Sequence, residues 1–236
     1  MSHLQVFATL LLGGVAALDA TPVAQTLLSQ PLVTATLLGA VWGEWRVALE
    51  VGVVLQILAA STLPIGARTP EDYAVGGVVG AGVALAVVSR QHFLMVSDAA
   101  ALTGVFAGLL AASFGVPVVK WQRRRNEGLS RWCEAEIRGG HESALGAAQR
   151  AGVVLAFAAG VGYCAVCLAL GVWLLGPLAG HHSLRLARAW ALAQPLGIGL
   201  GLAQLLQAFV RRRLTRAAAF GVAMLASWML LMMGGR

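Results

Sequence analysis

The residues that could carry out chemistry in this sequence are polar side chains within a long, mostly apolar stretch, residues 19–72. Five of them carry a carboxylate, a carboxamide or a hydroxyl group: Asp19, Gln25, Ser29, Gln30 and Gln56. Polar groups at membrane depth are costly, and by default they mark a substrate path. Together such groups donate and accept hydrogen bonds and therefore suit sugar hydroxyls, whereas phosphate and carboxylate ligands favour Arg or Lys. The alternative is that these side chains only satisfy one another and the broken backbone.

Prolines and glycines interrupt the same stretch. Proline removes a backbone donor and disfavours helix at the preceding residue, so Pro22 and Pro31 predict two breaks. Residues 32–42 are apolar but too short to span a bilayer, which indicates a half-helix or a re-entrant hairpin. Broken helix is tolerated in hydrocarbon only where protein or a water-filled cavity surrounds it. The pattern therefore favours a site inside a helical bundle.

The composition is that of an integral membrane protein. Of 236 residues, 58% are hydrophobic and only 11% are charged, whereas soluble domains carry about 25% charged residues. At roughly 20 residues per crossing, the apolar sequence supports about seven or eight membrane segments, some of them short. The main predicted segments are 4–18, 32–42, 47–63, 74–89, 93–119, 151–175, 189–210 and 217–233.

The positive charge is concentrated in two connections between apolar segments. The net charge of +7 comes largely from residues 120–150 and from a second cluster at 211–216. This distribution follows the positive-inside rule and places both clusters in the cytoplasm, so nucleic-acid binding is not favoured. We expect a membrane region with broken helices at 1–119, a basic cytoplasmic loop at 120–150 and carboxy-terminal membrane helices at 151–236. Part of the loop suits an amphipathic helix that lies at the membrane surface.

No pattern in the sequence indicates catalysis or metal binding. The motifs G-x-S-x-G and H-E-x-x-H and a phosphate-binding loop are absent, and the five histidines lie in connections or near predicted interfaces. Cys164 and Cys167 have the C-x-x-C spacing but no histidine or second pair to complete a site, so we interpret them as packing residues. The sequence therefore predicts no catalytic residue, no metal ion and no cofactor.

Short motifs in the first third of the chain occur in a recognisable order. Residues 18–33 read LDATPVAQTLLSQPLV, and the other matching runs are 38–44, 55–58 and 63–72. Together they resemble the IIC subunit of the mannose/sorbose-family sugar phosphotransferase system (PTS). Beyond Tyr73 the resemblance rests on length, hydropathy and one large hydrophilic connection.

This resemblance implies a fold, an activity and partners. The implied fold is an all-α integral membrane protein, a polytopic helical bundle with broken or re-entrant helices arranged as a core and a scaffold. The implied activity is that of a permease subunit, which carries a hexose or amino sugar inward together with a IID membrane subunit. Cytoplasmic IIB phosphorylates the sugar, and the phosphohistidines lie on IIA and IIB, so this subunit is not itself an enzyme. The implied setting is the lipid bilayer of a bacterial inner membrane, as a trimer of IIC–IID pairs.

The motif match also assigns roles to residues. Five polar residues are expected to line or support the sugar path: Asp19, Gln25, Ser29, Gln30 and Gln56. Four more are expected to shape its turns: Pro31, Pro64, Gly66 and Asp72. A second hypothesis is a non-transporting membrane scaffold or sensor that keeps the fold but has lost the pathway. Under that hypothesis, Gln56 and Asp19 are dispensable while the glycine-rich packing faces are not.

Overall fold

The computed structural model describes residues 2–20, 23, 25–60, 69–90 and 96–209, with a few positions between 214 and 229. Seven helices make up most of the continuous ranges: α1 (His3–Ala20), α2 (Pro31–Trp42), α3 (Trp45–Ala60), α4 (Tyr73–Arg90), α5 (Val96–Arg138), α6 (Ala144–His181) and α7 (Ser183–Phe209). The described residues contain no strand. Five of these helices are long and apolar enough to cross a membrane: α1, α4, α5, α6 and α7. The prediction of an all-helical, multi-pass membrane bundle is confirmed.

Helices α2 and α3 form a short hairpin. Proline is accommodated at the start of α2 because the first N–H groups of a helix lack intrahelical partners. The helix ends at Gly43, whose φ of 77° lies in the left-handed region and whose N–H donates to the Gly39 carbonyl oxygen at 2.9 Å. With 12 residues, α2 is about 18 Å long, well short of a hydrocarbon core of about 30 Å. The predicted short helix at 32–42 is therefore confirmed.

Helix α4 lies at the centre of the bundle and packs against α1, α2, α3, α5 and α6. All of its residues from Ala74 to Val87 are buried. Small residues allow this close packing: a Cβ atom placed on Gly80 would lie 2.8 Å from the carbonyl oxygen of Gly104 in α5. The backbones of α4 and α5 are thus in direct contact, as small-residue faces permit in membrane proteins.

This contact predicts a loss of stability on adding one methyl group. Gly80→Ala should destabilise the folded protein by about 1–3 kcal/mol, because backbone atoms cannot yield to an inserted methyl as a flexible side chain can. Thermal unfolding of the detergent-purified protein measures the effect. Gly162→Ala in α6 is the matched control, since among the described residues no atom beyond its own stretch of helix lies within 4 Å of its Cβ position. Equal melting temperatures for the two variants would contradict this packing.

The basic region at 120–150 is largely helical. Helix α5 continues through Arg138, and α6 begins at Ala144. Lys, Arg, Gln and Glu are strong helix formers, and two ion pairs one turn apart add support, Glu127–Arg131 at 3.7 Å and Glu134–Arg138 at 3.8 Å. The segment expected as a loop with part of it helical is therefore a helical hairpin, which we call the basic hairpin, with only a short turn between its two arms.

The last part of the bundle also differs from the expected segments. Helix α6 reaches His181 and α7 begins at Ser183, so most of the connection expected at 176–188 is helical. Pro177 and Pro195 lie inside these helices, since membrane helices tolerate proline when neighbouring groups satisfy the freed carbonyl. The basic cluster at 211–213 lies outside the described residues, as does much of the predicted segment 217–233.

Candidate functional site

A cavity of about 470 Å³ opens at the end of the bundle where α1 and α3 end and α2 and α4 begin. Its lining comes from five segments of the chain: Ala20; Ser29, Gln30 and Pro31; Gln56, Ala59 and Ala60; Thr69 to Ala74; and Val119 and Arg123. This volume lies within the range of about 300–1,000 Å³ that is usual for small-molecule sites. Its wall contains both polar and apolar side chains, so the cavity can hold a polar ligand of modest size.

Two glutamine side chains meet at the cavity wall. Gln56 Nε2 donates a hydrogen bond to Gln30 Oε1 at 2.6 Å. Gln56 Oε1 accepts a hydrogen bond from the Leu32 N–H at 3.3 Å, one of the first-turn donors of α2 that has no partner within its own helix. Gln56 therefore connects α3 to the start of α2. A carboxamide has two N–H donors and two acceptor lone pairs, so the pair retains capacity for a ligand.

The opposite wall is formed where the chain enters α4. Asp72 acts as the amino-terminal cap of α4, because its Oδ1 accepts from the Val75 N–H at 3.2 Å. Its own N–H donates to the Ala112 carbonyl oxygen at 2.9 Å, which attaches this turn to α5. The close fit continues at Gly115, where a Cβ atom would lie 2.7 Å from the Asp72 Cβ. Asp72 is thus fixed in position against α5.

Asp19 lies at the end of α1 and holds the connection between α1 and α2. It is 5% exposed. Its Oδ1 accepts from the N–H of Thr26 and, at 2.8 Å, from the Thr26 hydroxyl, while its Oδ2 accepts from the Ser29 N–H at 2.8 Å. In this connection Gln25 and Leu27 have positive φ angles of 52° and 72°, which non-glycine residues rarely adopt. The carboxylate compensates for this cost by satisfying the backbone donors of the connection.

The structure brings together only part of the predicted set. Ser29, Gln30 and Gln56 line the cavity, and so do the expected turn residues Pro31 and Asp72. Asp19 and Gln25 are not in the lining: Asp19 supports the connection that carries Ser29, and Gln25 is exposed on it. Pro64 and Gly66 lie outside the described residues.

Sequence reasoning missed several residues of the wall, of which Arg123 is the most informative. Its Nη1 donates to the Thr69 hydroxyl at 3.3 Å, across the mouth of the cavity. In the sequence, Arg123 was one cation of a basic run and was interpreted as part of a topology signal. The sequence signal for it was its position four residues after Val119. A helix that continues past Val119 keeps Arg123 one turn away from the apolar part of α5. Within the described residues, no group of three or more His, Cys, Asp or Glu side chains is arranged to hold a metal ion.

Comparison with known proteins adds a family and a fold. The sequence model of a family described as the PTS system sorbose-specific IIC component matches residues 3–234. A solved structure described as a membrane protein has a TM-score of 0.66 at 15% identity, covering 98% of this chain and 96% of that one. A cryo-EM structure of the mannose transporter ManYZ in complex with microcin E492 has a TM-score of 0.58 at 16% identity, with the same coverage. The search of curated proteins gave no match. At these identities, the two structures show the fold alone.

Proposed function

Because the chain belongs to the sorbose-specific IIC component family of the phosphotransferase system, we propose that it carries a hexose or amino sugar inward through the cavity at the end of the bundle. IIC components are membrane transport subunits, and the residues that carry the phosphoryl group belong to IIA and IIB. The chain is accordingly a sugar-permease subunit and not an enzyme. The sugar, the direction of transport and the residues that bind the sugar are the proposal.

The observation that supports this proposal most directly is the pair of carboxamides in the cavity wall. Gln30 and Gln56 lie 2.6 Å apart between their bonded atoms, beside Ser29 and a cavity of about 470 Å³. Sugar hydroxyls both donate and accept, so amides that do the same can bind them in more than one orientation. Ser29, Gln30 and Gln56 are the proposed sugar contacts, while Asp19 and Gln25 shape the connection that carries Ser29, and Pro31 and Asp72 fix the turns.

The orientation in the membrane follows from the basic hairpin. Its cations lie in a short connection between two spanning helices, which is the setting where the positive-inside rule applies. The cavity mouth carries Arg123, at the base of the same hairpin, so it faces the cytoplasm. We therefore propose a bacterial inner membrane as the location, with 1–119 carrying the path, 120–150 projecting into the cytoplasm and 151–236 completing the membrane helices.

The proposed partners are a IID membrane subunit and the cytoplasmic IIA and IIB subunits, with three IIC–IID pairs forming the assembly. The similarity of fold to the ManYZ structure supports a paired membrane complex. Large apolar side chains on α6 and α7 also remain exposed, including Trp173, Leu192 and Leu196, each at least 70% exposed. Such surfaces suit contact with lipid or with another membrane subunit.

The direct test is uptake of labelled hexoses and amino sugars by cells that lack other sugar permeases. Expression of this chain together with a IID subunit, in the presence of IIA and IIB, should give uptake of at least one of these sugars. Either membrane subunit alone should give none. Absence of uptake together with absence of sugar binding by the purified pair would reject the proposed function.

One observation favours the alternative of a non-transporting scaffold or sensor. The hydrogen bond between Gln30 and Gln56 satisfies these amides within the protein, as they would be if no ligand ever reached them. In that case, alanine at Gln56 would leave the cellular phenotype intact, whereas Gly80→Ala would disturb it through the fold. The two substitutions therefore distinguish the two functions.

A further inference from the structure

The mouth of the cavity differs in charge from its interior. The interior wall offers amides and a hydroxyl from Ser29, Gln30 and Gln56, and the mouth carries the guanidinium group of Arg123. The Arg123 side chain is exposed, and its Nη1 contacts the hydroxyl of Thr69 at 3.3 Å. One such contact uses one of the five N–H donors of a guanidinium group. The remaining donors are available to a ligand at the cavity mouth.

Arg123 differs from three other cations of the basic hairpin in its partners. Arg131 and Arg138 each pair with a glutamate one turn away, and Arg125 stacks over the Trp121 ring at 5.7 Å. No described carboxylate lies within ion-pair distance of Arg123. Two acidic residues, Glu71 and Asp72, line the same cavity, and the Asp72 carboxylate is engaged by the Val75 N–H. The positive charge of Arg123 is therefore not neutralised by a direct ion pair.

We propose that Arg123 binds the phosphoryl group as it passes to the sugar at the cavity mouth. This inference rests on the proposed function, in which a sugar held by the amides meets a phosphohistidine of IIB. In the transfer, the sugar hydroxyl oxygen bonds to phosphorus and the bond from phosphorus to the imidazole nitrogen breaks. The electron pair of that bond stays on the nitrogen, which takes up the hydroxyl proton. Arg123 supplies charge-assisted hydrogen bonds to the non-bridging phosphoryl oxygens throughout.

The separation of charge along the cavity supports this assignment. Guanidinium groups recognise phosphate through paired, planar hydrogen bonds, whereas a neutral hexose gains little from a full positive charge. A cation placed at the mouth and not among the amides is thus arranged for the incoming phosphoryl donor.

Membranes containing the chain with its IID subunit test the inference, using two variants. In inside-out vesicles supplied with phosphoenolpyruvate and the soluble phosphotransferase proteins, Arg123→Gln should lower the rate of sugar phosphorylation by at least about ten-fold. Binding of the unphosphorylated sugar should change by less than about two-fold, because the amides are untouched. Arg124→Gln is the matched control: it removes the same charge from the next position of α5, outside the cavity lining, and should phosphorylate at nearly the wild-type rate.

Each remaining outcome is decisive. Wild-type phosphorylation in Arg123→Gln would overturn the inference. An equal loss in both variants would also overturn it, because the positive charge of this region would then matter at either position, for example through contact with anionic lipid headgroups. Parallel loss of sugar binding and phosphorylation in Arg123→Gln alone would make Arg123 a sugar contact instead. If the wild-type pair neither binds nor phosphorylates any sugar, the proposed function fails together with this inference, whereas the first three results reject the inference alone.

Discussion

Alanine at Gln56 is expected to weaken sugar binding by about 10- to 100-fold. The substitution removes a partner of Gln30 and the acceptor of the Leu32 N–H. A bound sugar hydroxyl left without a hydrogen-bond partner costs about 1–3 kcal/mol, and each 1.4 kcal/mol corresponds to a factor of ten in affinity. The cavity would also lose a side chain that offers hydrogen bonds to the sugar. Titration of the purified IIC–IID pair with the transported sugar measures the change.

Gln149→Ala provides the matched control for this prediction. Gln149 lies in the first turns of α6, is exposed and does not line the cavity, so its removal should leave sugar affinity unchanged. If Gln56→Ala binds sugar and supports uptake as well as Gln149→Ala does, the amides at the cavity wall serve the fold alone. The scaffold hypothesis would then be preferred over the permease.

The helical architecture was predictable because hydropathy and proline placement act locally. Residues 32–42 are too short to span a bilayer and follow a proline. The structure has a short helix there, α2, which begins at that proline. Cys164 illustrates the same point: without a histidine or a second pair nearby in sequence it indicated packing, and it is fully buried against α1, where a Cβ atom on Gly13 would touch it. Such features need no knowledge of distant contacts.

The basic hairpin shows where local reasoning fails. Charged residues after Val119 predict a cytoplasmic connection with helix in only part of it, whereas the structure is helical through Arg138 and again from Ala144. Arginine, lysine, glutamine and glutamate are good helix formers in water, so α5 does not end where its apolar sequence ends. The consequence for the site is large, because only a helix that continues past Val119 places Arg123 over the cavity mouth beside Thr69.

The polar residues of the first third were also predictable as a set but not in their individual positions. Spacing along the chain could not separate Asp19, which serves the backbone of its own connection, from Gln56, which faces the cavity from another helix. The difference arises from the two positive φ angles at Gln25 and Leu27. Thr26 lies between these two residues and donates to the Asp19 carboxylate through its N–H and its hydroxyl, and no local pattern specifies that turn.

The largest loss of transport is expected from Asp19→Ala, although Asp19 does not line the cavity. The substitution leaves the N–H groups of Thr26 and Ser29 without their acceptor, and hydrogen bonds to charged groups contribute about 1.5–3 kcal/mol each. Without them, the strained connection has little to hold its two positive φ angles, and Ser29 and Gln30 lose their fixed place in the wall. Uptake should fall by more than about 100-fold. Amide hydrogen exchange at Thr26 and Ser29 should accelerate in parallel.

Asp98→Ala is the control for Asp19→Ala, because it removes a carboxylate that does not hold the connection between α1 and α2. Asp98 lies in the first turn of α5 and accepts from Arg46 at 3.2 Å in a partly exposed ion pair, which contributes at most about 1 kcal/mol. Uptake in Asp98→Ala should therefore remain close to wild type. Asp19→Asn, which keeps one acceptor oxygen, should fall between the two. Fast exchange at Thr26 and Ser29 with full uptake in Asp19→Ala would show that the connection is not part of the transport path, because the wall would then function without a fixed Ser29 and Gln30.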